Sequence, residues 1–379
     1  MISRRQILWA AAAGLARPLR ATPAPTAPVA VTRCHSYGPH LVETLDRMMD
    51  QLGGLGRLVK NKTVAVKLNL TGPASQRQGH LPLGVSHWTN PDVTAAMLHL
   101  MDRAGARRIR LLESPWCTAE PLEEVMYQAG WDPQCLFTAA KRVEFENTNF
   151  LGQGKRYHRL KVPGGGRIFE AYDFNHSYVD CDVFVTLAKL KESPSCGVTL
   201  SIKNSFGNLP ATIYGEGAGV DEPSIMPDGG RTMLHTGYRQ PPGHTEKDPT
   251  TPRKAGYRVP RIIADLALVR PIDLAVVEGI HSITIGPGPW RGKTKHVRPN
   301  VIVAGTNCVT TDTVCTALMG FDPMAGRGTP PFENRDSTLQ LAEENGVGTR
   351  DLDRIEVIGA PIQDAVFDFR KAQHDQPAT

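Results

Sequence analysis

The stretch DVFVTLAKLK, residues 182–191, decides the fold class that this sequence predicts. Its first seven residues are mostly apolar and rich in β-branched and aromatic side chains, as in a strand that is buried on both faces. Lysines then follow at positions 189 and 191, where such a strand should end. Comparable strand-like runs occur at 63–68, 108–112, 272–277, 300–304 and 354–358.

Helix-like segments alternate with these strands. They lie at 40–52, 90–105, 119–129, 258–269, 309–319 and 336–345. The pair Asn90-Pro91 is a typical helix start, because a capping side chain precedes a proline at the first helical position. This alternation predicts an α/β fold, a mostly parallel sheet with helices on both faces. A Pro-Gly-Gly-Gly centre within 160–171 predicts a small hairpin, and 210–257 is predicted to be a long Gly/Pro-rich loop.

The first 21 residues have the features of an export signal. Arg4 and Arg5 stand in the order Ser-Arg-Arg-Gln-Ile-Leu, before an apolar run that is too short to span a bilayer permanently. This order predicts a twin-arginine signal peptide at 1–21, which implies the twin-arginine translocation machinery as a partner and a periplasmic or secreted location. An ordinary basic start or a general secretory signal is the alternative.

The composition of residues 22–379 predicts three regions. A proline-rich linker is predicted at 22–36, a single α/β domain at 37–362 and a polar tail at 363–379. Within the domain, 210–257 has almost no apolar periodicity, and a loop of this length in a compact domain is usually functional or disordered. We interpret it as a flap-like insertion over a site, with disorder as the alternative.

Charge and cysteine content disfavour several classes of partner and cofactor. Four of the five net positive charges come from arginines in the first 20 residues, so the remainder is nearly neutral and no nucleic-acid surface is expected. The seven cysteines form no C-x-x-C pair, which disfavours a ferredoxin-type iron–sulfur cluster or a zinc ribbon. Isolated histidines give no metal-site pattern, so no metal is assigned. No phosphate loop, nucleophile elbow or dinucleotide-binding glycine motif occurs.

Polar residues follow several of the predicted strands. Lys67 and Asn69 follow one strand, Lys189 and Lys191 follow another, and Glu278 follows a third. Ligands of parallel α/β sheets bind beyond the carboxyl ends of the strands. Because lysines and amides suit a carboxylate or a phosphate, the sequence predicts a small anionic ligand at this edge.

Three further residues extend the predicted site. Lys203 and Asn204 lie in the next predicted helix, and Asp312 lies one turn into a later helix. We assign anion binding to the lysines and asparagines, and proton transfer to Lys67, Glu278 or Asp312. The alternatives are ordinary ones: a single strand-end lysine is most often solvated, Asp312 would suit a helix N-terminus, and Glu278 would suit a structural hydrogen bond.

Eight segments, taken in order, carry a resemblance to a known family. They include VAVKLNL (64–70), SIKNSFGNLP (201–210), DLAVVEGI (273–280) and TTDTVCTALMG (310–320). Together they resemble the bacterial domain-of-unknown-function 362 family over roughly 60–360. The resemblance implies an α/β fold without an agreed activity. Many relatives carry a ferredoxin-like iron–sulfur segment, and this sequence lacks its cysteine motifs, so the cofactor is unknown.

The function that these observations predict is an exported enzyme acting on a small anionic substrate, a carboxylate or a phosphate. The rival is a non-catalytic periplasmic protein that binds a ligand, a metal or a cofactor. A structural or assembly protein fits less well, because the polar edge of the sheet would then have no explanation. No permanent membrane span is expected.

Overall fold

The computed structural model describes residues 23–116, 120–149, 157–218 and 230–374. Fourteen strands lie in these ranges: β1 Val29–Arg33, β2 Thr63–Lys67, β3 Arg108–Glu113, β4 Val143–Asn147, β5 Tyr157–Lys161, β6 Ala171–Asn175, β7 Val183–Lys189, β8 Glu192–Ser193, β9 Gly197–Val198, β10 Leu274–Gly279, β11 Ser282–Ile283, β12 His296–Val297, β13 Val301–Gly305 and β14 Val357–Gly359. The twin-arginine prediction concerns residues outside these ranges.

Eight of the strands in the described ranges form one sheet, in the order β14-β1-β13-β10-β7-β2-β3-β4. Neighbouring strands are parallel, except that β13 runs antiparallel to both β1 and β10. The predicted α/β fold with a mostly parallel sheet is therefore confirmed. The reversal of β13 places the residues that follow it at the opposite edge of the sheet from those that follow β2, β7 and β10.

Three small antiparallel hairpins accompany the sheet in the described ranges, β5 with β6, β8 with β9 and β11 with β12. The first of them is the hairpin predicted at 160–171, with its strands at Tyr157–Lys161 and Ala171–Asn175. The second lies directly after β7, where the chain turns from the sheet into the helix that contains Lys203 and Asn204.

Helices flank the sheet on both faces. In the described ranges the α-helices are His40–Gln51, Leu55–Val59, Pro91–Arg103, Leu122–Gln128, Pro133–Thr138, Leu200–Asn204, Ala211–Tyr214, Thr232–Thr236, Ala255–Val269, Cys308–Leu318, Thr338–Glu344, Ile362–Ala365 and Phe369–His374. The predicted start at Asn90-Pro91 is confirmed: the Asn90 side chain accepts a hydrogen bond from the backbone N–H of Asp92. Within the described ranges, every helix is too short or too polar to cross a bilayer.

Alternate side chains of each central strand enter different layers. In β2, Val64 and Val66 pack in a cluster with the helix Pro91–Arg103, whereas Ala65 packs in a cluster with the helix Ala255–Val269. Both faces are buried, which explains why these strands are almost continuously apolar in sequence.

Two predicted boundaries are wrong. The segment 22–36, predicted to be a linker, contains β1, whose first three residues are fully buried between β13 and β14. Three consecutive apolar residues are too short a signal to distinguish a strand from a proline-rich connection. The predicted tail 363–379 contains the helix Phe369–His374, which is anchored by the buried side chain of Phe369.

The described parts of 210–257 pack against the domain. Met233 and Leu234 are buried, and the Glu246 carboxylate accepts hydrogen bonds from Arg253 and Arg258. The interpretation of this segment as a flap stays a prediction.

Candidate functional site

Four charged side chains lie at the carboxyl ends of the central parallel strands. Lys67 ends β2, Glu113 ends β3, Lys189 ends β7, and Glu278 is the penultimate residue of β10. They form two buried ion pairs. Lys67 Nζ lies 2.6 Å from Glu113 Oε1, and Lys189 Nζ lies 2.6 Å from Glu278 Oε2.

The alternation of side chains along a strand separates these two pairs. Lys67 points to the same face as Ala65, towards the helix Ala255–Val269. Lys189 points to the same face as Val185, towards the helix Pro91–Arg103. Lys67 and Lys189, predicted to share one site, are therefore on opposite faces of the sheet.

A cleft opens on the face that carries Lys67. Its empty space is about 570 Å³, part of it open to solvent. Its charged and amide lining comes from Lys67, Asn69, Glu113, Lys203, Asn204 and Arg231. Of the eight predicted site residues, the structure thus brings four into one cleft, and it leaves Lys189, Lys191, Glu278 and Asp312 outside its lining.

Lys67 is held by three acceptors at the inner end of this cleft. Its Nζ donates to Glu113 Oε1 at 2.6 Å, to the Leu68 carbonyl at 2.5 Å and to Asn204 Oδ1 at 3.4 Å. Glu113 is fixed in turn by the backbone N–H groups of Leu70 and Ser114, at 2.8 and 2.9 Å. All three hydrogens of a Lys67 ammonium are therefore used within the protein.

The environment of Lys67 brings the pKa of its ammonium group close to neutral pH. Burial lowers the pKa of Lys67 to about 8, because the charged form loses its hydration. The Glu113 carboxylate opposes this shift, and the nearby cations Arg231 and Lys203 add to it. A lysine in this state can exchange a proton at physiological pH, as a general acid or base must.

Two asparagines form a relay beside Lys67. Asn69 Nδ2 donates to Asn204 Oδ1 at 2.8 Å, and Asn204 Nδ2 donates to Thr186 Oγ1 of β7 at 2.8 Å. Both amides are buried. Because Asn204 accepts from Lys67 as well as from Asn69, the relay orients the lysine and limits what either amide offers to a ligand.

Gly207 allows its own backbone to lie close to the Lys67–Glu113 ion pair. A Cβ atom on this residue would lie 2.7 Å from Lys67 Nζ and 3.0 Å from Glu113 Oε1. The first distance is too short for a carbon atom and the second is tight, so a side chain here would displace the end of Lys67 from its place beside Glu113. The glycine in SIKNSFGNLP is thus required by the packing of the site.

Lys203 and Arg231 supply the cations that face the open part of the cleft. Lys203 Nζ lies 4.5 Å from the centre of the Phe206 ring, and no carboxylate or hydrogen-bond acceptor in the described chain is paired with it. Arg231 donates from Nε to the Leu209 carbonyl at 2.5 Å and from Nη2 to Ser114 Oγ at 2.5 Å. Burial lowers the pKa of Lys203, and the charge of Arg231 lowers it further.

Lys191 does not line the cleft, although it follows β7 closely. Its Nζ donates to the backbone carbonyls of His87 and Pro287, at 2.6 and 3.0 Å. Burial lowers its pKa well below the usual value, and the charges of Lys189 and Lys203 add to this. In this arrangement Lys191 ties two loops together at the carboxyl edge of the sheet.

Lys189 and Glu278 form a closed structural pair. Besides the ion pair, Lys189 Nζ donates to the Gly84 carbonyl at 3.0 Å, and the Tyr37 hydroxyl donates to Glu278 Oε1 at 2.5 Å. Both charged side chains are almost completely buried. Glu278 is therefore enclosed by Lys189 and Tyr37 and does not line the cleft.

Asp312 stabilises a helix start. Its carboxylate accepts hydrogen bonds from the backbone N–H groups of Ser201 and Ile202, both at 2.9 Å, and from Ser201 Oγ at 2.5 Å. Burial raises the pKa of Asp312 to about 7. Since β13 is antiparallel, the helix Cys308–Leu318 starts from the opposite edge, and Asp312 meets the helix Leu200–Asn204 rather than the cleft.

Residues 64–317, well over half of the chain, match the family described as "Domain of unknown function (DUF362)". The chain belongs to this family. A thylakoid-associated protein of Synechocystis sp. is 25% identical over 297 residues, which are 78% of this chain and 75% of that protein. A solved crystal structure of a Thermotoga maritima protein aligns with 16% identity and a TM-score of 0.27, over 45% of this chain and 37% of that one.

All the residues that line the cleft lie within the DUF362 match. Two of its charged residues, Glu113 and Arg231, were not predicted from the sequence. Glu113 had a usable signal, because it directly follows the strand-like run RIRLL just as Lys67 follows TVAV. Arg231 had none, since it lies in the aperiodic segment 210–257. Within the described ranges, no three His, Cys, Asp or Glu side chains are arranged to hold a metal ion.

Proposed function

We propose that this member of the DUF362 family is an enzyme that acts on a small anionic molecule, a carboxylate or a phosphate, bound in the cleft on the Lys67 face of the sheet. Lys203 and Arg231 bind the anionic group. Lys67, with its pKa near 8, exchanges a proton with the bound molecule.

The observation that carries this proposal is the state of Lys203. Its ammonium group adjoins an open cleft and has no paired carboxylate in the described chain, with Arg231 and Lys67 nearby. An unpaired cation among other cations is electrostatically unfavourable. A bound anion would relieve this repulsion and would replace the water that the ammonium group has lost.

Isothermal titration calorimetry with inorganic phosphate, sulfate and acetate at low ionic strength tests the anion site. We expect binding that weakens as salt rises and that falls about 10- to 100-fold in Lys203→Met, the loss typical of one charge-assisted hydrogen bond. Lys371→Met is the matched control, because it removes the same charge from a side chain that is 82% exposed. Absence of binding by all three anions, or equal losses in the two variants, would overturn the anion site.

A second function, non-catalytic binding of the same anion, is favoured by one observation. The ammonium of Lys67 already donates to Glu113, Leu68 and Asn204, so it has no hydrogen left for a ligand. Mass spectrometry of small molecules that co-purify with the protein separates the two functions. An enzyme should convert the co-purified molecule on incubation, and Lys67→Met should stop the conversion. A binding protein should return the molecule unchanged.

We also propose that the protein is exported by the twin-arginine route to the periplasm or beyond. The motif around Arg4 and Arg5 supports this, and it lies outside the described residues. Replacement of both arginines by lysine should leave the precursor in the cytoplasm. Undiminished export of that variant would contradict the assignment.

A further inference from the structure

The mouth of the cleft carries an exposed indole ring. Trp116 lines the cleft and is 41% exposed, whereas Trp88 and Trp131 are buried in the domain. An exposed aromatic ring beside a polar cleft offers a large apolar contact area at little conformational cost. Leu70 and Pro287 continue this apolar side of the cleft.

The ring lies next to the cationic wall. Arg231 Nη2 donates to Ser114 Oγ at 2.5 Å and to the Ser114 carbonyl at 3.1 Å, two residues before Trp116. Gly230 faces the same ring, since a Cβ atom on it would lie 3.6 Å from Trp116 Cη2. The segments 114–116 and 230–231 therefore run side by side, and they place an indole ring and a guanidinium group in one wall.

A second indole supports the first. The rings of Trp116 and Trp290 meet edge to face, with 6.1 Å between their centres and an angle of 69°. Trp290 is itself confined by Gly72 and Gly288, where an added Cβ atom would lie 2.3 and 2.0 Å from its ring. The contact with Trp290 holds the Trp116 ring in a defined orientation while part of its surface stays open to solvent.

From this arrangement we infer, on the basis of the anion site proposed above, that the ligand is an aromatic anion: a planar ring that stacks on Trp116 and carries a phosphate or carboxylate bound by Lys203 and Arg231. The lining of the cleft offers both kinds of contact, cations and amides for the anionic group and aromatic and aliphatic side chains for the ring. An inorganic anion would use only the cations and amides.

The test compares phenyl, cyclohexyl and methyl phosphate, and in parallel benzoate, cyclohexanecarboxylate and acetate, by calorimetry with inorganic phosphate as the reference. The phenyl compound should bind about tenfold more tightly than the methyl compound, and several-fold more tightly than the cyclohexyl compound of similar size. Trp116→Leu should abolish this preference for the phenyl compound and leave inorganic phosphate binding unchanged. Tyr127→Leu, at a side chain that is 72% exposed on the helix Leu122–Gln128, is the control and should change neither.

The outcomes separate this inference from the anion site itself. If all compounds of a series bind equally and depend on Lys203, the aromatic preference is refuted and the anion site stands. Equal affinities for the phenyl and cyclohexyl compounds would refute the role of the ring face. If neither series binds the wild-type protein, both proposals fail. A phenyl preference that survives in Trp116→Leu would also refute the inference, because another part of the cleft would then be responsible.

Discussion

Replacing Glu113 by glutamine should destabilise the protein at neutral pH. The substitution keeps the shape of the side chain but leaves the buried Lys67 ammonium without its carboxylate, 2.6 Å away in the wild type. Removal of one partner of a buried pair costs about 3–5 kcal/mol. The lysine can escape this cost by losing its proton, which from its folded pKa of about 8 costs about 1.4 kcal/mol at pH 7. We therefore expect a loss of about 1–2 kcal/mol in the free energy of unfolding, because the neutral form of the lysine limits the cost.

The loss should shrink as the pH rises. The pKa of Lys67 is about 8 in the folded protein, below its usual value of 10.5. Between these two pH values the unfolded chain therefore binds more protons than the folded protein does. As a result, the free energy of unfolding increases as the pH rises from about 8 to about 10.5. In Glu113→Gln the folded lysine is neutral at still lower pH. Near pH 9 both folded proteins hold a neutral Lys67, so the charge-dependent part of the difference should disappear.

Urea unfolding at pH 7 and pH 9, followed by circular dichroism, measures this effect. Lys67→Met combined with Glu113→Gln should recover most of the stability, because no buried charge is left unpaired. Glu43→Gln is the control, since it breaks an exposed pair with Arg47 and should change stability by less than about 1 kcal/mol. No measurable loss in Glu113→Gln at pH 7, or an equal loss at pH 7 and pH 9, would refute the account of this pair.

Gly207→Ala should lower stability by about 1–3 kcal/mol and weaken phosphate binding in calorimetry, because its Cβ would displace Lys67; unchanged binding would contradict the close packing. Asp312→Ala should cost about 3 kcal/mol in urea unfolding, since it leaves buried donors unpaired. The folded pKa of Asp312 is about 7, above its usual 3.8. The contribution of this group to wild-type stability therefore falls as the pH rises between these two values. In Asp312→Ala this dependence of stability on pH should be absent. Lys189→Met should cost about 3–5 kcal/mol by stranding Glu278 yet leave phosphate affinity unchanged; a weaker affinity would place Lys189 in the anion site after all.

The class of the fold follows from the sequence because buried parallel strands are continuously apolar. Because the strands are apolar throughout, the sequence does not show two features that determine where the site lies: the face to which a side chain points and the direction of a strand. The run DVFVTLAK does not show which face of the sheet Lys189 points to, since both faces are apolar. The run VIVA does not show that β13 is antiparallel, and Asp312 was therefore expected at the wrong edge.

The cleft itself could be predicted only in part. Lys67 ends β2, Asn69 follows it, and Lys203 and Asn204 end the short helix that comes after β7, so a rule about the carboxyl edge of the sheet finds them. Arg231 reaches the cleft through packing of an aperiodic segment, which no local pattern encodes. Long-range contacts of this kind depend on tertiary structure rather than on periodicity.

The position of β1 has a consequence for the order in which the chain acquires its structure during synthesis. Among the strands in the described ranges, Val29–Arg33 is the first to leave the ribosome, yet its partners there are β13 and β14, at Val301–Gly305 and Val357–Gly359. Both of its edges wait, unpaired, until more than 260 further residues have been made. Unpaired strand edges are sites of aggregation and of chaperone binding. A nascent chain of this protein is therefore vulnerable at β1, and the eight-stranded sheet is completed only when β14 arrives.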